Sequence, residues 1–263
     1  MHAHSPAASW SAWLPSLLLL LPFVFYLWAA HGPERRPLRP WNPWRTLCFA
    51  AGLLLLALAF LPPVVAYAHH DLRGHMVQHL LVGMLAPLGM VLGAPLTLAF
   101  RSLPVGSARQ LTWLLRSRFF RVLGHPVTAL VLNIGGMYVL YLTPLYSISQ
   151  TNDLVHLAIH LHFLAAGYLF TWSLIGREPG PHRASFTLRL GVLFVSIAAH
   201  ACLSKLLYAY EWPRLSEPDP QQVQQAAQLM YYGGDLAEVL LAIAFFGTYQ
   251  AGARSRQPKL SSL

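Results

Sequence analysis

Seven apolar runs of about 20 residues each set what this chain can fold into, because that is the length a helix needs to cross a bilayer. They cover roughly residues 10–30, 46–67, 76–100, 126–146, 153–175, 188–210 and 229–250. The reading is an all-α fold, a polytopic membrane bundle of seven transmembrane helices forming one integral membrane domain over 1–263. Composition agrees, with only 10% charged residues against about a quarter in soluble domains. Cys48 and Cys202 are the only cysteines and lie far apart, which excludes a disulfide scaffold. The net charge of +9 does not point to nucleic acid, since the basic residues sit in short gaps between apolar runs. Trp10, Trp13, Trp41, Trp44, Tyr67, Tyr146, Tyr208, Tyr210 and Trp212 mark the run ends as interfacial anchors. Pro62 and Pro63 break the end of the second run, and Pro87 and Pro95 interrupt the third.

The gaps orient the chain. Fifteen of the eighteen Lys and Arg fall in alternate gaps, among them Arg35, Arg36, Arg39, Arg45, Arg101, Arg177, Arg183, Arg189, Arg254, Arg256 and Lys259. Arg73, Lys205 and Arg214 fall in the others. The positive-inside rule then places the N-terminus outside and the C-terminus in the cytoplasm. The first run is expected to be a retained helix and not a signal peptide: no basic residue precedes it, and a cut after Ala30 puts Trp28 where a small residue is wanted. Residues 107–123 are expected to form a helix on the cytoplasmic surface. Leu111, Leu115, Phe119 and Val122 share its apolar face, and Arg109, Arg116 and Arg121 lie largely opposite to meet anionic headgroups.

Thirteen histidines are present, and their placement matters more than their number. His75 and His79 are four apart in HMVQH, and His156 and His160 are four apart in DLVHLAIH. Residues at that spacing share a helix face, about 6 Å apart along the axis. Asp153 precedes the second pair, His200 lies in the sixth run, and Asp235 and Glu238 lie in the seventh, all in the outer half. Ionisable groups at membrane depth are costly and face the bundle interior, where they pair or bind something. Imidazole suits copper, zinc, iron and nickel, so an extracytoplasmic metal site is expected. Its ligands are His75, His79, His156, His160, His200 and Asp235. Asp153, Glu238, Met76, His69, His70 and Lys205 are candidates for supporting or shuttling roles.

Other histidines read as structural or solvated. His162, two after His160, points off the common face, and His2, His4, His31, His125 and His182 lie in tails or at ends. Met76, Met84 and Met230 are expected to pack in the core. Lys205 either snorkels outward or pairs with Asp235 or Glu238, and Cys202 is turned off the His200 face.

The third run, HMVQHLLVGMLAPLGMVLGAP after HDLRG, resembles the signature of the seven-span CtaG family of cytochrome c oxidase assembly factors. The resemblance extends to HPVTALVLNIGGMYVLYLTPLY, to the exit LFTWSLIGREP and to YYGGDLAEVLLA, covering about 46–249. It implies a non-enzymatic role in maturing haem–copper oxidases in the bacterial inner (plasma) membrane, with copper supply as the expected task. The implied partners are cytochrome c oxidase subunits, a periplasmic copper donor and the lipid bilayer, with no nucleic acid. Two other readings stay open on the residues. One is a zinc-dependent intramembrane hydrolase with Asp235 or Glu238 as base; the other is a bis-histidine haem protein.

Overall fold

The computed structural model describes residues 13–31, 40–176, 178, 184–213 and 219–254. Trp10, His2, His4, His182 and the basic residues Arg35, Arg36, Arg39, Arg177, Arg183, Arg214, Arg256 and Lys259 lie outside the described residues. Among the described residues every element is a helix. In chain order they are α1 (Leu14–His31), α2 (Pro43–Ala59), α3 (Pro62–His70) and α4 (Leu72–Leu92). The shorter α5 (Pro95–Ser102), α6 (Val105–Leu115) and α7 (Arg118–Leu123) follow. Then come α8 (Pro126–Leu142), α9 (Leu145–Thr151), α10 (Asp153–Ile175), α11 (Phe186–Tyr210) and α12 (Pro220–Arg254).

Five of these, α1, α4, α10, α11 and α12, are each long and apolar enough to cross a membrane. Two bent pairs bring the number to as many as seven if each crosses as one: α2 with α3 at 54°, and α8 with α9 at 78°. The first bend has a local cause. Pro63 lacks the N–H that would bond the Ala59 carbonyl, and Gln78 Nε2 donates to that oxygen instead, at 2.9 Å. The expected break at Pro62 and Pro63 is present; the break before Pro144 was not foreseen.

Proline also shapes α4. Pro87 cannot donate to the carbonyl of Gly83, and the helix widens into a π-type turn over Leu81–Leu85 just before it. The freed Gly83 oxygen faces Gly167 of α10, where an added Cβ would lie 2.0 Å from it. Only a residue without a side chain lets these helices approach so closely. A second wide turn, Val131–Gly135, lies in α8, and the Leu132 carbonyl accepts from His162 Nε2 at 3.0 Å.

Two apolar clusters divide the bundle along its length. The first gathers Met76, Met137, Tyr141, Phe163, Leu203, Leu207 and Met230 around the histidine-bearing half. The second gathers Leu88, Val91, Phe170, Leu174, Val192, Leu241 and Phe245 in the other half. Buried polar links tie down the far end. Arg189 Nη1 donates to the Leu174 carbonyl at 2.7 Å, placing a cation on the C-terminus of α10. Glu178 Oε1 accepts from the Thr97 N–H at 3.0 Å, capping α5. Arg189 was expected in a loop; it is instead buried in the first turn of α11. The segment expected as one surface helix is two, because Ser117 Oγ accepts from Phe120 N–H at 3.3 Å and starts α7 afresh. Arg109, Arg116 and Arg121 are exposed there.

Candidate metal centre

Helix starts fix where the histidines fall. Asp71 caps α4 by accepting from Arg73 N–H at 2.8 Å, and its carboxylate also pairs with the Arg73 guanidinium. Arg73 Nη1 reaches Gln225 Oε1 at 2.7 Å, fastening the start of α4 to α12. Asp71 is thus committed to structure. One and two turns on, His75 and His79 are both buried between α4 and the aromatic wall of α8, α9 and α10. Tyr146 stands edge-on to His75 with ring centres 4.9 Å apart, and Phe163 stands edge-on to His79 at 5.2 Å.

Asn152 caps α10 by accepting from Leu154 and Val155 N–H. That start brings His156, half-buried, against His69 of α3 with ring centres 4.7 Å apart, and His160 lies 4.4 Å from His156. His160 Nδ1 bonds the His156 carbonyl at 2.9 Å. A carbonyl only accepts, so Nδ1 carries the proton and Nε2 keeps its lone pair, the tautomer of a metal ligand. His200 is fully buried on α11, with Gly234 of α12 packed against its ring. Its Nδ1 lies 3.7 Å from Glu238 Oε1.

The imidazoles therefore form a track. His69 is exposed, His156 half-buried, and His160, His79 and His200 are buried, with Glu238 at the inner end. Among the described residues no three His, Cys, Asp or Glu side chains converge closely enough to enclose an ion as they stand. What converges is pairs. Along the inner part of the track, His75 Nε2, both nitrogens of His79, both of His200 and both oxygens of Glu238 are buried with no hydrogen-bond partner. Buried polar atoms without a partner are uncommon in native folds, and such a concentration calls for an explanation. A set of lone-pair donors waiting for a cation is one that fits their chemistry.

The remaining expected residues are placed as follows. Asp235 is half-buried on α12, three residues before Glu238, and the carboxylate against His200 is that of Glu238. Asp153 is exposed in the first turn of α10, and His70 is exposed at the end of α3. Met76 and Met230 are fully buried in the first apolar cluster. Lys205 lies with Nζ 5.6 Å from the Tyr231 ring centre. His162 is exposed and bonded to the Leu132 carbonyl, off the track. His125 caps α8, accepting from Val127 N–H at 3.3 Å.

Sequence reasoning missed Tyr141, edge-on to His75 and His79, buried Gln78, and Asn133, Thr171 and Ser196, buried polar residues deeper in the bundle; Tyr146, read as an interfacial anchor, is instead buried against His75. Gln78 had a signal, since it sits inside HMVQH between the two histidines.

The family model of cytochrome c oxidase caa3 assembly factors (Caa3_CtaG) matches residues 24–250. Uncharacterised proteins of Mycobacterium bovis and Mycobacterium tuberculosis are each 38% identical over 180 residues, 66% of this chain and 27% of theirs. One from Mycobacterium leprae is 34% identical over 174 residues, 64% of this chain and 26% of its own. The chain thus spans about a quarter of the length of these curated relatives. No solved structure matches it.

Proposed function

This chain belongs to the cytochrome c oxidase caa3 assembly factor family, and from that premise we propose that it takes up copper as cargo at the histidine track and helps load it into the oxidase. The observation that carries the reading is the run of buried imidazole nitrogens without partners, reached from an exposed histidine. The chain's own residues do three things. His69 and His156 offer a landing pair at the open end. His160 Nε2, held ready by the bond at Nδ1, receives from that pair. His75, His79 and His200 offer further lone pairs in the dry interior, where a cation given up by one imidazole meets the next. A cuprous ion is content with two ligands, so successive pairs suit a cargo that must move on.

We place the track on the extracytoplasmic side of a bacterial plasma membrane. The basic residues of α2, α5, α6, α7 and α11 support this, for they lie at the opposite end from His69. The cytochrome c oxidase subunits are then the acceptors, with a periplasmic donor supplying copper. A hydrolytic zinc site asks for three converging ligands and an open position, which pairs do not provide.

The test is made in the host. His79→Ala and His160→Ala each remove one imidazole from the track, and oxidase activity is expected to fall under copper limitation with protein level nearly kept. Added copper restores part of it, because mass action refills a weakened site. His162→Ala removes a bond to a backbone carbonyl, costing about 1 kcal/mol of stability, and leaves copper content per folded molecule as in the native chain. Full oxidase activity in both track variants at limiting copper defeats the reading. A fall that copper never rescues leaves a purely structural assembly role.

A further inference from the structure

The track ends at a cavity. About 20 Å³ of space lies between α4, α8, α10, α11 and α12, beyond His79 and His200 as seen from His69. Four polar side chains line it, Asn133, Thr171, Ser196 and Glu238, each from a different helix and each buried. The rest of the lining is apolar. Residues of the two wide turns line it, Gly83 and Met84 from Leu81–Leu85 of α4 and Asn133 and Ile134 from Val131–Gly135 of α8. Such turns inside membrane helices recur at functional sites. Room for a water takes about 10–15 Å³ and two to four polar partners, and this cavity meets both conditions.

Glu238 is the unusual member. It is 4% exposed and both carboxylate oxygens lack a hydrogen-bond partner among the described residues. Its nearest polar neighbour on the track side is His200 Nδ1, at 3.7 Å. A carboxyl group so placed has two possible sources of relief: water on the cavity side, and a positive charge on the imidazole side. The geometry offers both at once. Asp235, on the same helix, is half-exposed and does not line the cavity.

We propose that Glu238, hydrated by water held in this cavity, is the anionic, oxygen-donating end of the imidazole track. It supplies the counter-charge that allows a cation to rest between His79 and His200. Neutral imidazoles bring no charge, so an ion bound by them alone remains an uncompensated positive charge in a low-dielectric interior, which is unfavourable. One carboxylate within a few ångströms cancels the charge of a monovalent ion. Cavity water, anchored by Asn133, Thr171 and Ser196, solvates the carboxylate between visits and replaces one ligand when the ion leaves. This rests on the copper reading above and adds to it the charge that makes a buried site workable.

The experiment uses the whole purified chain in lipid nanodiscs, with cuprous ion alone as the probe, titrated anaerobically against a chromogenic chelator. The native chain is compared with Glu238→Gln, Asp235→Asn and the double variant Thr171→Val, Ser196→Val. Glu238→Gln keeps shape and removes charge; it is expected to weaken cuprous affinity by at least about ten-fold. Asp235→Asn is expected to cost several times less, and the double variant to fall between. Circular dichroism and size exclusion confirm folding, and Glu238→Asp, which keeps the charge, recovers part of the loss. A second readout needs no metal. The infrared carboxylate stretch that vanishes in Glu238→Gln is expected to move when heavy water replaces water, because the hydrogen bonds it accepts from cavity water exchange.

Cuprous affinity in Glu238→Gln within two-fold of the native chain overturns the counter-charge while leaving the imidazole track standing. A carboxylate stretch that does not respond to heavy water overturns the hydrated cavity. A native chain that binds no cuprous ion overturns both this proposal and the copper reading, whereas loss in the histidine variants alone removes only the role of Glu238.

Discussion

Glu178 sets a carboxyl against the backbone of α5 with 8% of its surface exposed. Burial pushes its acid up to about 6, with the Thr97 N–H drawing it partly back. The fold therefore favours the protonated form. That stability is complete below the ordinary value of 4.5 and is lost as pH rises through about 6. The loss amounts to about 2 kcal/mol. Thermal unfolding in detergent from pH 4.5 to 7.5 is expected to show it in the native chain. Glu178→Gln, which keeps the acceptor for Thr97, flattens the difference, and parallel pH profiles for the two proteins contradict it. Residue placement was only partly legible. His75, His79, His156 and His160 could be put on their faces from spacing alone. Asp235 was chosen as the ligand and Glu238 as its support, though spacing cannot decide between them, since three residues on a helix differ by about 60° in direction. That angle divides a carboxylate against His200 from one half in the open.

At the scale of elements, close approach decides which glycines matter. An added Cβ at Gly234 would lie 2.0 Å from His200 Cε1, so Gly234→Ala must push the imidazole aside. The expected result is a loss of about 1–3 kcal/mol in stability, together with weaker cuprous binding. Gly167→Ala drives a methyl group into the Gly83 carbonyl and separates two backbones, which costs more. Gly191 has nothing within 4 Å and its alanine variant keeps native melting and native binding. Equal melting temperatures for all three would show that these helices do not pack as described. Element boundaries were legible where the chain signals locally: α10 runs over 153–175 as expected, between the Asn152 cap and Gly176. The start of α12 was placed nine residues late because PQQVQQAAQ is helical but not apolar; Pro220 and the Asp219 side chain, bonded to Gln221 N–H at 3.0 Å, begin it. The wide turn in α8 left no trace in composition, since only the fit of Asn133 and His162 against neighbouring helices selects it.

For the molecule as a whole, polarity is divided between its two ends. Changing Arg109, Arg116 and Arg121 together to Gln removes about 1 kcal/mol of attraction to anionic lipid for each. Yield and uniform insertion, read from reporters fused to the C-terminus, are expected to drop, with copper per folded molecule unchanged. Equal yield with lost copper would refute that division. The succession of apolar helices, five to seven of them able to span a membrane, was legible because it follows from bulk hydropathy. The order of polar residues along the bundle axis was not, for it depends on how helices slide past one another. That order has a further consequence. Below the cavity lies the second apolar cluster, with Leu174 fully buried and Phe245 and Leu193 beside it, and the charge set against them is that of Arg189, a fixed cation held on the Leu174 carbonyl and over the Phe245 ring. The proposed route is a cul-de-sac. On the copper reading proposed above, a cation that enters past His69 leaves by the same mouth, so cargo is received and surrendered at one end of the bundle.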